Sequence, residues 1–325
     1  MADEKNSNSV NEPGTTVEHL NAEKRDQLID VHLGYELSDI EASEITRSSL
    51  TKVIVVAGPG ASGKTTLLAS LNDRFQQSAL QDYEFAGSRT LLAFESRSYD
   101  VRIASGRLEP EMEKTKVDLD NLRFLHLRVR KKGDGSVLRD LLFSDISGEN
   151  FRQAKNSSED CKKLWILKRA DRLVLLFDGA SLAISAKRQE SKSFGIDFLR
   201  SCIDSGMIGI ATMVDVVISK MDEINQSVNK AETEKFIEEI VKEIRNRFAS
   251  GVSKLAFFEV AVLPKKDPNL AEGWGLSNIF PPWVEESRYT EGGPREAFHP
   301  DIEAREFSRF GSGETVGVIS SEGIR

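Results

Sequence analysis

The chain has 325 residues, of which 39% are hydrophobic and 30% are charged, a composition ordinary for a soluble globular protein. Residues 1–45 carry 11 acidic and 3 basic side chains, which gives this segment a net charge of −8. The whole chain also has a net charge of −8, so the rest of the chain is neutral. A neutral body lacks the basic footprint of a nucleic-acid-binding protein. No apolar run is long enough to span a bilayer, and the polar amino terminus has no signal-peptide core, so we expect a cytoplasmic protein without a membrane span.

The two cysteines, Cys161 and Cys202, are far apart in the sequence and belong to no C-x-x-C pair. This argues against a disulfide framework or a zinc site and fits a reducing compartment. The simplest prediction is that both are buried small apolar side chains.

Composition divides the chain into three parts. Residues 1–49 are acidic, and we expect a partly disordered extension with a possible helix over Val17–Ala42. Residues 50–285 show the patterns of a compact domain, with a polar insertion at about 78–120 whose elements the pattern does not resolve. Residues 286–325 are polar, which predicts a flexible tail.

Strands and helices alternate within the compact domain. Short β-branched runs predict strands, and stretches with apolar residues on one face predict helices. The alternation predicts a three-layer α/β fold with a mostly parallel sheet, and one hairpin supplies an antiparallel edge strand. The predicted strands are Lys52–Ala57, Phe124–Val129, Val137–Ser144, Leu173–Phe177, Val214–Ile218 and Phe257–Val262, and the predicted helices are Lys64–Phe75, a stretch ending near Arg169, Ala186–Cys202 and Glu232–Phe248.

The first chemical signal follows the first predicted strand, where residues 58–66 read GPGASGKTT and match G-x-x-x-x-G-K-[ST]. Glycines allow backbone N–H groups to wrap a polyphosphate, and the following helix adds its positive dipole end. Lys64 is expected to reach the terminal phosphates, and the Thr65 hydroxyl is expected to ligate Mg²⁺. The strand before and the helix after this motif predict the fold of P-loop NTPases, with the insertion between the first helix and the second strand. The predicted nucleotide-binding residues here are Gly58, Gly60, Ala61, Ser62, Gly63, Lys64, Thr65 and Thr66.

The second signal is the Asp-x-x-Gly of Asp145 and Gly148, at the end of the hairpin's second strand. A carboxylate there can hold Mg²⁺ through water, and the Gly148 N–H can approach a terminal phosphate closely. The pattern alone is weak, because Asp and Gly are both turn residues. Downstream of a complete phosphate loop, it predicts a magnesium and phosphate site.

The third signal, Ser219-Lys220-Met221-Asp222, follows another buried strand. A carboxylate at Asp222 can accept hydrogen bonds from the N1–H and the exocyclic amine of guanine, whereas adenine offers no such paired donors on that edge. Two charge-assisted bonds give a preference for guanine of about 10²–10⁴-fold. The motif therefore predicts GTP or GDP as the ligand.

The order of these motifs resembles the Ras-like (TRAFAC-type) P-loop GTPase superfamily over residues 50–280. That resemblance implies Ras-like topology and a fifth motif near Ala261 and Val262, where the sequence is degenerate and a backbone N–H would contact the base. It also implies a phosphate-sensing threonine before the hairpin; Thr115 is the best-placed residue, acting on Mg²⁺ and the γ-phosphate, and Thr90 is the second. Glu149 stands where the family has its water-orienting glutamine.

The segments Phe85–Leu91 and Leu142–Glu149, together with the phosphate loop, look like the bacterial double-GTPase families of predicted conflict systems. That resemblance implies protein partners encoded in the same gene cassette. The leading hypothesis is a Mg²⁺-dependent GTP switch with slow hydrolysis. A nucleotide-binding pseudo-GTPase without turnover and an ATP-using P-loop enzyme remain alternatives. No arginine finger can be assigned, and the arginines considered in the insertion are Arg89, Arg97, Arg102 and Arg107.

Overall fold

The computed structural model describes residues 34–106 and 122–285. Within these ranges one sheet has the strand order β2-β3-β4-β1-β5-β6-β7. Strands β4, β1, β5, β6 and β7 are parallel, and β3 runs antiparallel to both of its neighbours. The strands are β1 (Thr51–Ala57), β2 (Tyr83–Gly87), β3 (Arg123–Lys131), β4 (Asp134–Asp145), β5 (Arg172–Asp178), β6 (Met213–Ser219) and β7 (Lys254–Glu259).

Helices cover both faces of the sheet. They are α1 (Asp39–Ser48), α2 (Lys64–Gln77), α3 (Leu91–Gly106), α4 (Gly148–Ala154), α5 (Ser158–Lys163), α6 (Ile166–Arg169), α7 (Gly179–Ala183), α8 (Ser185–Asp204), α9 (Met221–Asn225), α10 (Lys230–Phe248) and α11 (Leu276–Glu285). None of the helices in the described ranges is long and apolar enough to cross a membrane.

The alternation along β1 explains the three layers. Val53 and Val55 join a core with α1, α4, α5, α6, α8 and α10, whereas Ile54 and Val56 join a second core with α2, α3 and α11. Because successive side chains of a strand point to opposite faces, a strand that is apolar throughout is buried on both sides. The predicted three-layer, mostly parallel fold with its antiparallel hairpin strand is confirmed.

The insertion supplies two elements that the sequence pattern did not resolve. Strand β2 pairs with β3 and forms the edge of the sheet, so β3 lies one strand further in. Helix α3 packs along α2 and buries Ala93 and Phe94.

A buried polar cluster fixes the insertion to the hairpin. The Ser88 hydroxyl donates to the His126 carbonyl oxygen at 2.6 Å, and the Arg89 N–H donates to His126 Nδ1 at 2.9 Å. His126 Nε2 then lies 2.7 Å from Asp140 Oδ1, an arrangement that suits the neutral ring with its proton on Nε2. Burial lowers the pKa of His126, although the hydrogen bond to Asp140 opposes this shift. The segment 85–91, noted in the sequence for its family resemblance, therefore anchors the insertion.

The cysteines that are distant in sequence are neighbours in space. Cys161 on α5 and Cys202 on α8 are both fully buried, and their sulfur atoms are 3.6 Å apart as free thiols. Their predicted burial is confirmed.

The amino-terminal helix differs from the prediction. Of the range Val17–Ala42, residues up to 33 lie outside the described part of the chain. The observed helix α1 begins at Asp39, where Ser38 and Glu41 form a capping box. Leu37, just before it, forms an antiparallel bridge with Phe124 of β3.

Candidate functional site

The sequence motifs meet at one edge of the sheet. The phosphate loop follows β1, Asp145 ends β4, and Ser219 ends β6. Because β4, β1, β5 and β6 are parallel neighbours, their carboxyl ends lie together. Ligands of open α/β sheets bind at this end of the strands.

The phosphate loop is shaped by residues with unusual backbone geometry. A Cβ at Gly58 would lie 2.6 Å from the Ser62 hydroxyl and 3.1 Å from the Leu176 carbonyl oxygen, so any larger residue would be crowded there. Ala61 has φ 61° and Gly63 has φ 94°, both in the left-handed region. These turns bring the chain round to the start of α2, as a loop that wraps a polyphosphate requires.

The first turn of α2 suits an anion. Its N-cap is Gly63, which makes no side-chain hydrogen bond to the helix, and the turn contains no acidic residue. The N–H groups of a first turn otherwise need side chains, water or a ligand as partners. Lys64 donates from Nζ to the carbonyl oxygens of Gly58 at 2.9 Å and Pro59 at 3.0 Å, which holds its ammonium group across the loop. Thr65 and Thr66 are half-buried in the same turn.

Gly148, the first residue of α4, lies directly against the phosphate loop. A Cβ built on it would lie 2.7 Å from the Pro59 carbonyl carbon and would also contact the Gly60 nitrogen. A glycine is therefore needed for this close approach. Glu149 follows it and is exposed. The side chain of Asp145 lies outside the described part of the structure.

The substitution Gly148→Ala is expected to lower the free energy of unfolding by about 1–3 kcal/mol, because the added methyl group overpacks a backbone contact. Denaturant unfolding of the nucleotide-free chain measures this. Gly209→Ala is the matched control, since a Cβ there meets nothing within 4 Å and should change stability by less than about 0.5 kcal/mol. Equal effects of the two substitutions would contradict the tight approach of α4 to the loop.

The third motif is tied to the phosphate loop by its side chains. The Ser219 hydroxyl donates to the Ser62 carbonyl oxygen at 2.9 Å, and Lys220 Nζ donates to the Ala61 carbonyl oxygen at 2.7 Å. Lys220 also pairs with Asp178, at the end of β5, at 2.9 Å. Asp222 follows two residues later on α9, where it is only 4% exposed.

The chain after β7 differs from the prediction. The last strand ends at Glu259 rather than at Val262. The Ala261 N–H donates to the Trp274 carbonyl oxygen at 3.1 Å, and its predicted contact with a base stays a prediction. Val262 accepts from Gly273 in the same turn, and nothing tests a contact of its N–H with a base.

Sequence reasoning missed the residues that hold Asp222. Asp222 Oδ2 accepts from the backbone N–H groups of Lys265 at 3.0 Å and Lys266 at 3.3 Å. Lys266 also pairs through Nζ with Glu223 at 2.7 Å. Backbone donors leave no signal in side-chain identity, so no motif could have revealed them.

Gly179 is a second residue that the sequence motifs did not include. A Cβ at this position would collide with the Ser219 carbonyl oxygen and lie 2.8 Å from that of Lys220. The glycine therefore permits close packing of α7 under the third motif. The sequence feature that could have identified Gly179 is its position directly after a buried strand.

The candidate sensing residues have different outcomes. Thr115 lies outside the described residues. Thr90 is fully buried, and its hydroxyl accepts from the His126 N–H at 2.8 Å, so it belongs to the polar cluster of the insertion. Arg97 lines a small cavity with Lys64 and Thr65, but its guanidinium group is paired with Glu36 at 2.8 Å.

The predicted metal residues are a threonine and an aspartate rather than a cluster of ligands. Among the described residues, no group of three or more His, Cys, Asp or Glu side chains could hold a metal ion. Mg²⁺ is usually bound by one or two protein oxygens together with phosphate oxygens and water. Thr65 lies at the start of α2 and Asp145 at the end of β4, and their binding of Mg²⁺ stays a prediction.

The family model of Double-GTPase 2 matches residues 52–284, which is most of the chain and nearly all of the described domain. The chain belongs to the Double-GTPase 2 family. It is therefore a P-loop GTPase of the double-GTPase type and a GTP-binding protein. The resemblance stated from the motifs is confirmed. No curated protein matches the chain.

Solved structures similar to this Double-GTPase 2 protein are distant. The signal recognition particle receptor SRb-GTP/SRX complex from Chaetomium thermophilum matches at 14% identity and TM-score 0.40, over 73% of this chain and 97% of that one. The S. cerevisiae Ski7 GTPase-like domain bound to GDP and inorganic phosphate matches at 14% identity and TM-score 0.38, over 69% of this chain and 47% of that one. These likenesses are too weak to bear on function, and the family membership rests on the family model.

Proposed function

We propose that this protein is a Mg²⁺-dependent molecular switch that binds GTP, hydrolyses it slowly to GDP, and acts with protein partners in a bacterial multi-protein system. The observation that carries the proposal is the connection between the phosphate loop and the third motif. Ser219 and Lys220 donate to the carbonyl oxygens of Ser62 and Ala61, and this link, two residues before Asp222, supports one shared site for the phosphates and the base.

The proposed roles follow from these positions. The loop N–H groups of Gly60 to Thr66 bind the phosphates, and Lys64 adds a positive charge at the terminal phosphate. Asp222 selects guanine. Thr65 and Asp145 hold Mg²⁺, which neutralises charge on the phosphate oxygens when it is bound.

The hydrolytic roles depend on α4 and the insertion. Gly148 lies against Gly60, where its N–H can donate to a terminal phosphate, and Glu149 orients water from the next position. Thr115 completes the magnesium site and senses the γ-phosphate. Without an added arginine, turnover is expected to be slow, on the order of 10⁻⁴ to 10⁻² s⁻¹.

Phosphate release from GTP in a single turnover with Mg²⁺ tests the proposal. The substitution Lys64→Ala should lower the rate at least about a hundredfold, because a charge-assisted bond to phosphate and a restraint on the loop are both lost. Lys162→Ala is the matched control, since Lys162 is an exposed lysine on α5 paired with Glu159 at 3.5 Å. Its rate should equal that of the unmodified chain.

The same experiment separates the alternatives. Phosphate release that is identical in the unmodified chain and in Lys64→Ala would identify a binding module without turnover. Displacement of labelled GTP by ATP and by GTP with equal potency would identify an ATP-using enzyme. If the purified chain binds GTP at least a hundredfold more tightly than ATP, the two binding free energies differ by about 2.7 kcal/mol or more. That result supports Asp222 as the residue that selects guanine.

A further inference from the structure

A polar cavity of about 420 Å³ adjoins the phosphate loop. Pro59 and Gly60 form its wall at the loop, α4 and the following turn form a second wall, and α8 forms a third. The cavity lies on the side of the loop that Gly148 also contacts. It is therefore next to the place where the terminal phosphate of a bound nucleotide would lie.

Three basic side chains line this cavity. Arg152 projects from α4, Lys155 caps the same helix, and Lys187 lies on α8. The side chains of Arg152 and Lys187 form no ion pair or hydrogen bond within the part of the chain that the structure describes. Lys155 lies over the ring of Phe194 at 5.8 Å from its centroid, which leaves its charge without an acidic partner among those residues.

The acids of the cavity do not balance these charges. Asp178 is engaged by Lys220 at 2.9 Å and by the Ser181 hydroxyl at 2.6 Å. Glu190 is the other acid on the lining, one turn after Lys187 on α8. A concave site with excess positive charge concentrates anions.

We propose that this cavity is a binding site for inorganic phosphate, with Arg152 as its main ligand. The inference rests on the proposed function, because hydrolysis supplies the ligand. Water adds to the γ-phosphorus and the bond from that phosphorus to the β–γ bridging oxygen breaks, which yields GDP, orthophosphate and a proton. The orthophosphate is released beside Gly60, on the boundary of the cavity.

The residue types suit orthophosphate. A guanidinium group presents paired N–H donors that match two oxygens of a tetrahedral anion, and lysines add point charges. The side chains of Ser181, Ser191 and Asn156 add neutral polar groups to the lining.

Titration of inorganic phosphate into the full chain loaded with GDP and Mg²⁺ tests the inference, with calorimetry as the readout and sodium chloride added to constant ionic strength. The unmodified chain should bind phosphate at a single saturable site. Arg152→Gln should weaken this binding about tenfold or more, and Lys187→Gln by a smaller factor. Glu190→Gln should strengthen it severalfold, a gain that a merely structural role would not give.

The controls keep the outcome decisive. Lys162→Gln changes an exposed side chain of α5 that does not line the cavity, so this variant should bind phosphate like the unmodified chain. Every variant should keep its GDP affinity as evidence of folding. The absence of saturable binding, equal affinity in Arg152→Gln, or an equal signal from acetate would each overturn the inference. The absence of GTP turnover would overturn the proposed function alone, because the phosphate titration is decided without it.

Discussion

Asparagine in place of Asp222 is expected to change the preferred base from guanine to xanthine. GTP affinity should fall by about 10²–10⁴-fold, because two charge-assisted hydrogen bonds are lost. The side chain is buried and its Oδ2 accepts from the Lys265 and Lys266 N–H groups, so the asparagine oxygen will keep those partners. The amide nitrogen must then face the base, where it repels the guanine donors and pairs with the added carbonyl of xanthine.

Dissociation constants for GTP and XTP, measured by displacement of a labelled guanine nucleotide from each chain, check this result. Glu223→Gln is the matched control, because it removes the same charge from the neighbouring residue, which contacts Lys266 rather than the base pocket. It should leave the ratio of the two constants unchanged. An unaltered GTP constant in Asp222→Asn would place the base elsewhere and remove Asp222 from the pocket.

The fold could be predicted from sequence because its signals are local. The β1 run of residues 52–57 is apolar at every position from Val53, which is what burial on both faces requires. Helix α10 carries its buried residues Ile237, Ile240 and Ile244 at helical spacing. Parallel strands separated by helices then leave few possible topologies.

Helices α3 and α11 were missed because their stability comes from distant parts of the chain. Helix α3 is amphipathic only weakly, and it is held by packing on α2 and by the Ala93 N–H donating to the Gly34 carbonyl oxygen at 2.8 Å. Helix α11 contains Pro281 and Pro282, which normally mark the end of helical structure. Its residues Phe280 and Trp283 are buried against the sheet, and this packing keeps the segment helical.

Some residues of the candidate site could be identified from the sequence, and others could not. Gly58, Lys64 and Ser219 could be found because their residue types are required by the chemistry of phosphate and base binding. Lys265 and Lys266 could not, because they act through backbone N–H groups and their side chains are irrelevant to that contact. The charge excess around Arg152 also depends on which acids have partners, a property of the folded chain alone.

Removal of the Asp215 carboxylate is expected to cause the largest loss of stability. Asp215 on β6 is fully buried and accepts from Arg172 Nη1 at 2.6 Å and from Trp283 Nε1 at 2.9 Å. Arg172 Nη2 donates to the Pro282 carbonyl oxygen at 2.9 Å, so the pair fastens α11 to the sheet. Asp215→Ala should lower the free energy of unfolding by about 3–5 kcal/mol, because it removes the carboxylate that pairs with a buried guanidinium charge.

Denaturant unfolding of Asp215→Ala, Arg172→Met and the double variant separates two quantities. One is the loss of stability on removing a single partner, and the other is the net contribution of the ion pair to stability. The double variant should recover most of the loss, since it removes the uncompensated charge together with its partner. Glu159→Ala is the surface control: its pair with Lys162 is exposed, and its removal should cost less than about 1 kcal/mol. If Asp215→Ala and the double variant were equally unstable, the loss would come from the Trp283 contact and the packing of α11 rather than from the buried charge.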